Sequence, residues 1–251
     1  MNKHILIIIS VIVAIHNLCA QDTLYTKTIV KHADLDMRYE RMVAMPTMGP
    51  YVIDGNKLVS LLSDNGSTIT FPDGLPLDDL VWIEKDFIVK AYNALYWLGD
   101  MSKPIRAFDD TTFLVFPRDT NSLYLVLRHE DMSSVFLFNI KLKAMKRLVT
   151  VPGWIVTLSG SKDATMIVTE QSAWLFTDKG CDTYMNFWAP LRDAVMTTHG
   201  LVCTTDHYLF LLTAPFQYKI LAKGSFDKLL YDMKDLYIVT GEGDLLKVER
   251  W

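Results

Sequence analysis

Four aspartates stand at matching places in the chain, each one to three residues before a short, largely apolar run. Carboxylate oxygens are the ligands that a hard cation such as calcium prefers, so acids that converged on one point could hold a divalent ion. Alternatively, each aspartate accepts hydrogen bonds from backbone amides of its own turn, which requires no ligand. Both interpretations remain open for these residues, which are Asp79, Asp110, Asp193 and Asp227.

Other candidate side chains lie in the polar breaks between apolar runs. His129 stands beside Glu130 and Asp131 and could act as a base or bind a cation, or could belong to an ordinary exposed loop. His199 and His207 flank one predicted strand, and eight extended residues separate them by roughly 26 Å, too far to share a metal ion. The sequence therefore predicts binding residues in these breaks without predicting a histidine metal site; they are His129, Trp154, Trp188, Arg192 and His207.

The two tryptophans of this set fall in connecting segments rather than in strands. An aromatic ring on an exposed loop can contact a carbohydrate or a protein partner. The competing interpretation is that Trp154 and Trp188 pack over the neighbouring structural unit.

Sequence motifs of common enzymes are missing. Gly160-Ser161 is not part of a Gly-x-Ser-x-Gly elbow, and Gly241-Glu242-Gly243 lacks the third glycine of a dinucleotide-binding loop. The chain has 25 Lys and Arg against 29 Asp and Glu residues, without a basic cluster. Tight nucleic-acid binding needs such a cluster to neutralise phosphates, so no nucleic-acid partner is predicted.

The elements that must position these residues repeat six times along the chain. Each repeat contains a short apolar run, a polar break and a second apolar run, and equivalent residues of the first runs are 36, 37, 42, 35 and 36 residues apart. Short strands at this period predict an all-β fold, a six-bladed β-propeller. The equivalent residues are Ile53, Val89, Val126, Val168, Cys203 and Val239, and the predicted blades cover about 42–71, 80–108, 113–151, 155–187, 194–221 and 228–248.

The sixth repeat is incomplete, because the chain ends at Trp251 before a fourth strand. An unpaired blade edge promotes aggregation, and the strand-like segment 24–30 is available to cover it. We therefore expect this N-terminal strand to be the outer strand of the last blade. A β-sandwich would not repeat so evenly, and no linker divides residues 21–251 into two domains.

Residues 1–20 have the pattern of a secretory signal peptide. Lys3 precedes the apolar block Ile5 to Ile15, which is too short for a membrane-spanning helix, and Ala20 suits a cleavage site. We expect an exported protein, periplasmic or extracellular, with no membrane span. Lipid attachment at Cys19 is disfavoured because Leu18 stands where lipoprotein signals have a small residue.

The remaining cysteines are Cys181 and Cys203. A chain of this length can bury a core that does not depend on a disulfide, so two free thiols are favoured over a bridge. Whether the two residues pair stays open at this stage.

The repeat spacing and the pattern of closure resemble those of exported bacterial β-propeller repeat proteins. The resemblance covers residues 22–251 and concerns architecture alone, because the signatures of WD40, sialidase and quinoprotein blades are absent. Residue roles are therefore not transferred from any one family.

Three functions are compatible with these features. The favoured one is a non-enzymatic binding or scaffold protein, without a cofactor, for a protein or polysaccharide partner in an envelope assembly. The alternative is a lactonase-like hydrolase or lyase with an axial calcium or other divalent ion, held by some of the four aspartates. The third is a purely structural role.

Overall fold

The computed structural model describes residues 24–30, 42–62, 67–71, 77–83, 86–109, 113–160 and 163–250. The predicted signal peptide and Asp110 lie outside this part of the chain. The described residues form six four-stranded antiparallel sheets arranged as a six-bladed β-propeller, which confirms the predicted fold. Within these ranges, no helix has the length and apolar character needed to cross a membrane.

Each sheet is one blade. In the first five blades the strands run outward from the central axis in chain order, and in the sixth blade the N-terminal strand is the outermost. The first three blades contain β2 (Met42–Met45), β3 (Gly49–Asp54), β4 (Lys57–Ser60) and β5 (Thr68–Thr70); β6 (Asp79–Ile83), β7 (Asp86–Ala91), β8 (Ala94–Trp97) and β9 (Arg106–Ala107); and β10 (Phe113–Asp119), β11 (Ser122–His129), β12 (Met132–Asn139) and β13 (Ala144–Pro152).

The next two blades contain β14 (Ile155–Gly160), β15 (Ala164–Thr169), β16 (Ser172–Thr177) and β17 (Gly180–Asn186); and β18 (Asp193–Thr197), β19 (Gly200–Thr204), β20 (Tyr208–Ala214) and β21 (Gln217–Lys223). The sixth blade contains β22 (Phe226–Tyr231), β23 (Leu236–Thr240) and β24 (Leu245–Arg250), and its outer strand is β1 (Tyr25–Val30).

The N-terminal strand closes the ring as the sequence predicts. Strand β1 pairs antiparallel with β24, with Thr26 opposite Val248 and Thr28 opposite Leu246. The edge that the incomplete sixth repeat would expose is therefore covered by the other end of the same chain.

The six innermost strands form a continuous ring, because each contacts the innermost strand of both neighbouring blades. Apolar side chains fill the space between adjacent blades: Leu95 of the second blade and Leu125 of the third belong to one buried cluster, together with Phe113. The second strand of each blade is covered on both sides, and this burial explains why these strands appear in the sequence as continuous apolar runs.

One end of the ring, which we call the mouth face, carries the turns that join the second and third strands of each blade. These turns span residues 55–56, 92–93, 130–131, 170–171, 205–207 and 241–244. Because the strands alternate in direction, the beginnings of the innermost strands lie on this face as well. The hairpin 140–143, between β12 and β13, lies on the opposite face.

Both cysteines of the described chain are free thiols. Cys203 is buried within β19, and Cys181 is partly buried on β17.

Candidate functional site

A cavity of about 550 Å³ lies on the propeller axis at the mouth face. Its wall includes residues at the beginnings of innermost strands, at the ends of second strands and in the adjoining connections, which the antiparallel topology gathers at one end of the ring. Four residues predicted from the sequence line it, namely Asp79, Trp154, Arg192 and Asp193.

Charged residues of both signs face this cavity. Asp79 begins β6 and lies opposite Lys90 in the ladder with β7, which places an acid and a base side by side. Lys228 of the sixth blade also lines the cavity, and its charge favours the ionised forms of both Asp79 and Asp193. The Lys90 ammonium group lies 4.7 Å from the centre of the Phe113 ring, within cation–π range.

The Asp193 carboxylate joins two blades. Its Oδ1 accepts a hydrogen bond from the Ala194 amide at 2.8 Å, and its Oδ2 accepts one from the Leu229 amide of the next blade, also at 2.8 Å. Burial nevertheless raises the pKa of Asp193 from 3.8 to about 6, although Lys228 and both amides favour the charged form. The pKa of Asp193 therefore lies well above that of an ordinary aspartate.

Asp79 has similar surroundings in the second blade. Its Oδ1 accepts a hydrogen bond from the Leu80 amide at 2.8 Å. Burial raises the pKa of Asp79, and the Leu80 amide together with the Lys228 and Lys90 charges opposes that rise. Both carboxyl groups border the cavity and are otherwise surrounded by protein, which is why loss of hydration is the larger effect.

Arg192 forms an ion-pair network at the rim of the cavity. Its Nε donates to Asp206, and its Nη1 lies 3.3 Å from Asp227 Oδ1 in the neighbouring blade. This network orients the guanidinium group, although exposed ion pairs contribute little to stability. The sequence predicts Asp227 as an axial acid, and in the structure its carboxylate pairs with this arginine.

Trp154 is held at the rim by two contacts. Its Nε1 donates to the Glu130 carbonyl oxygen at 3.1 Å, and the Arg128 guanidinium lies 5.2 Å from its ring centre. Arg128 also donates to the Ile155 carbonyl oxygen at 3.3 Å. The indole remains 48% exposed, so a fixed aromatic surface faces outward from the cavity wall.

The other predicted residues are not part of the cavity wall. His129, the last residue of β11, and His207, in the turn 205–207, are both exposed on the mouth face. The His207 amide donates to Thr205 Oγ1 at 3.3 Å. Trp188 borders a separate, shallow cavity of about 360 Å³. Asp110 is outside the described residues.

Among the predicted axial acids that the structure describes, each carboxylate accepts a hydrogen bond or forms an ion pair with a protein group. Asp79 and Asp193 accept backbone hydrogen bonds and Asp227 pairs with Arg192. Within the described ranges, no three or more His, Cys, Asp or Glu side chains lie together so as to hold a metal ion.

Lys90 and Lys228 contribute to the cavity but were not predicted as site residues. Both are within strands, where an isolated lysine resembles an ordinary solvent-facing position. Each strand also contains an aspartate, so the lysine does not stand out in the sequence.

Comparison with known proteins gives a match of fold. The chain matches no protein-family model, and a search of curated proteins gives no match. The structure is similar to TolB from Acinetobacter baumannii, with a TM-score of 0.56, 9% identity and coverage of 83% of this chain and 63% of TolB.

Two further similar structures come from other bacteria. The extracellular domain of the one-component system BT4673 from B. thetaiotaomicron gives a TM-score of 0.60 at 12% identity, over 90% of this chain and 35% of that one. PorZ, a surface component of the type-IX secretion system of Porphyromonas gingivalis, gives 0.53 at 12% identity, over 88% of this chain and 37% of PorZ. The chain thus spans less than two thirds of each of these proteins, and at such identities the similarity concerns the fold.

Proposed function

We propose that this protein is an exported, non-enzymatic binding or scaffold protein that holds a segment of a partner protein at its mouth face. The observation that carries the proposal is the axial cavity, whose charged and aromatic side chains are already fixed by hydrogen bonds, ion pairs and ring contacts. Side chains ordered before binding lose little conformational entropy when a partner arrives, so their contacts contribute more fully to affinity.

The composition of the cavity favours a polar peptide segment over an apolar one. Lys90, Arg128 and Lys228 line the wall together with acids such as Asp79 and Glu170. Such a pattern selects partners by charge complementarity and disfavours those with the wrong order of charges. Trp154 adds an exposed aromatic anchor of the kind that dominates the energy of many protein interfaces.

Export and assembly are supported by two independent features. Residues 1–20 have the pattern of a signal peptide. Two proteins of similar fold are described as an extracellular domain and as a bacterial surface component of a secretion system. We infer a place outside the cytoplasm, as part of an envelope assembly or in contact with one.

Site-specific photo-crosslinking in the native cells tests this proposal. A photoreactive residue is placed at Tyr92 or Glu242, which are both exposed on the mouth face, and at Leu142 on the opposite face, which is 75% exposed. We expect the same partner to be captured from both mouth positions and not from Leu142. Capture from Leu142 alone, or equally from all three positions, would contradict a binding site at the mouth.

A further inference from the structure

A second, uncharged pocket lies beside the mouth-face end of the fourth blade. Its volume is about 360 Å³, and its wall includes Gln171, Ser172, Asn186, Trp188 and Pro190. No lining residue is charged, which distinguishes this pocket from the axial cavity. A phosphate, carboxylate or ammonium group would find no ion-pair partner among these residues, so the pocket offers a charged ligand no charge complementarity.

Trp188 forms a rigid aromatic surface in this pocket. Its ring lies 4.8 Å from the Phe210 ring and 4.6 Å from the Tyr218 ring, measured between centres, and Phe210 is buried beneath it. Packing of this kind fixes the orientation of the indole. Trp188 is still 46% exposed, so the surface turned away from these two rings can receive a ligand.

Uncharged polar groups stand next to this ring. Ser172 Oγ donates to Asn186 Oδ1 at 3.0 Å, which orients the amide of Asn186 and leaves its NH₂ group as a donor. Gln171 supplies a second carboxamide. A carboxamide both donates and accepts hydrogen bonds, and so does a sugar hydroxyl, so the two kinds of group match.

We propose that this pocket binds a neutral carbohydrate. The apolar C–H face of a sugar ring would lie on Trp188, and its hydroxyl groups would bond Asn186, Gln171 and Ser172. The volume is at the small end of the roughly 300–1,000 Å³ typical of ligand pockets, which suits one or two sugar rings of a longer chain. The site is separate from the axial cavity and does not depend on the function proposed for it.

Affinity electrophoresis of the purified protein tests this assignment. Native gels contain soluble starch, laminarin or mannan as neutral probes, or polygalacturonate as a charged one. We expect at least one neutral glycan to retard the protein and polygalacturonate to have no effect. Retardation by no neutral glycan, or by polygalacturonate alone, would overturn the proposal.

Variants locate the binding. Trp188→Ala and Asn186→Ala should each weaken retardation at least tenfold, and Trp188→Phe should restore part of it because an aromatic face is kept. Tyr25→Ala is the matched control, since Tyr25 is an exposed aromatic residue on β1 of the sixth blade, which contributes no residue to this pocket. Thermal melting verifies that each variant is folded, and Asn186→Ala keeps the test valid if Trp188→Ala does not fold.

Unchanged retardation in folded Asn186→Ala and Trp188→Phe, or equal loss in Tyr25→Ala, would assign the binding elsewhere. Retardation lost together with self-association would instead assign the Trp188 surface to a protein contact.

Discussion

Replacing Asp193 with asparagine should change how the stability of the protein depends on pH. The buried carboxyl has a pKa of about 6 in the folded protein, against 3.8 when unfolded. The folded state therefore holds the proton more tightly than the unfolded state does. The stabilising contribution of Asp193 is complete below pH 3.8 and is lost as pH rises through about 6.

The size of the effect follows from the difference between these two pKa values. A rise from 3.8 to about 6 corresponds to about 3 kcal/mol of unfolding free energy between low and neutral pH. Asparagine carries no charge at either pH, so this contribution should disappear. Because Asp193 uses separate oxygens for the Ala194 and Leu229 amides, asparagine can satisfy only one of them. That loss should destabilise the variant by about 1–2 kcal/mol at low pH.

Urea unfolding from pH 4.5 to pH 8 measures both effects. We expect Asp193→Asn to be less stable than the wild type at pH 4.5 and to equal or exceed it at pH 8. Asp178→Asn, at an exposed turn, is the control and should follow the wild-type profile. If the unfolding free energies of the wild type and Asp193→Asn changed in parallel with pH, the conclusion that burial destabilises the ionised form of this carboxyl would be refuted.

Three further predictions concern the closure of the ring, the axial acids and the rim. Deleting residues 24–30 should lower the melting temperature and cause self-association in gel filtration, because β24 becomes an open edge. A monomer with an unchanged melting temperature would contradict this role of β1. Excess calcium or a chelator should leave the melting temperature unchanged, because Asp193 and Asp227 oxygens already bond protein donors; a calcium-dependent rise would favour the alternative of an axial ion. Arg192→Ala should lower the unfolding free energy by less than about 1 kcal/mol at low salt, with a smaller effect at high salt. A larger, salt-independent loss would mean that the ion pairs of Arg192 contribute substantially to the stability of the fold.

The fold could be predicted from the sequence because burial repeats with the blades. Each second strand is covered on both sides and must be apolar, so the six runs mark the blades directly. The position of β1 can be predicted because the sixth repeat contains three strands and needs a fourth to cover its outer edge. Both inferences depend on composition and spacing, which the sequence contains in full.

The site could be predicted only where chain order determines position. Trp154 and Arg192 lie in connections that must reach the mouth face, so their place follows from the topology. Lys228 was missed because β22 contains a β-bulge between Phe226 and Lys228. A bulge redirects the side chains around it, and here Lys228 lines the cavity while Asp227 pairs with Arg192.

Specific hydrogen bonds between blades could not be predicted from the repeat pattern either. The bond from the Leu229 amide to Asp193 joins residues 36 positions apart in different sheets. Its existence depends on how closely two blades approach each other, and periodicity does not specify that distance. The pKa of Asp193 depends on the same packing, so it too required the structure.

Binding of the crosslinked partner to the purified protein is the most direct test of a binding site at the mouth face. Calorimetry compares the wild type with Trp154→Ala and with Leu142→Ala on the opposite face. We predict that Trp154→Ala weakens the affinity at least tenfold, as loss of an aromatic anchor does at many interfaces, and that Leu142→Ala leaves it unchanged. Equal affinities for the wild type and Trp154→Ala, or a loss confined to Leu142→Ala, would show that the partner does not bind at the mouth.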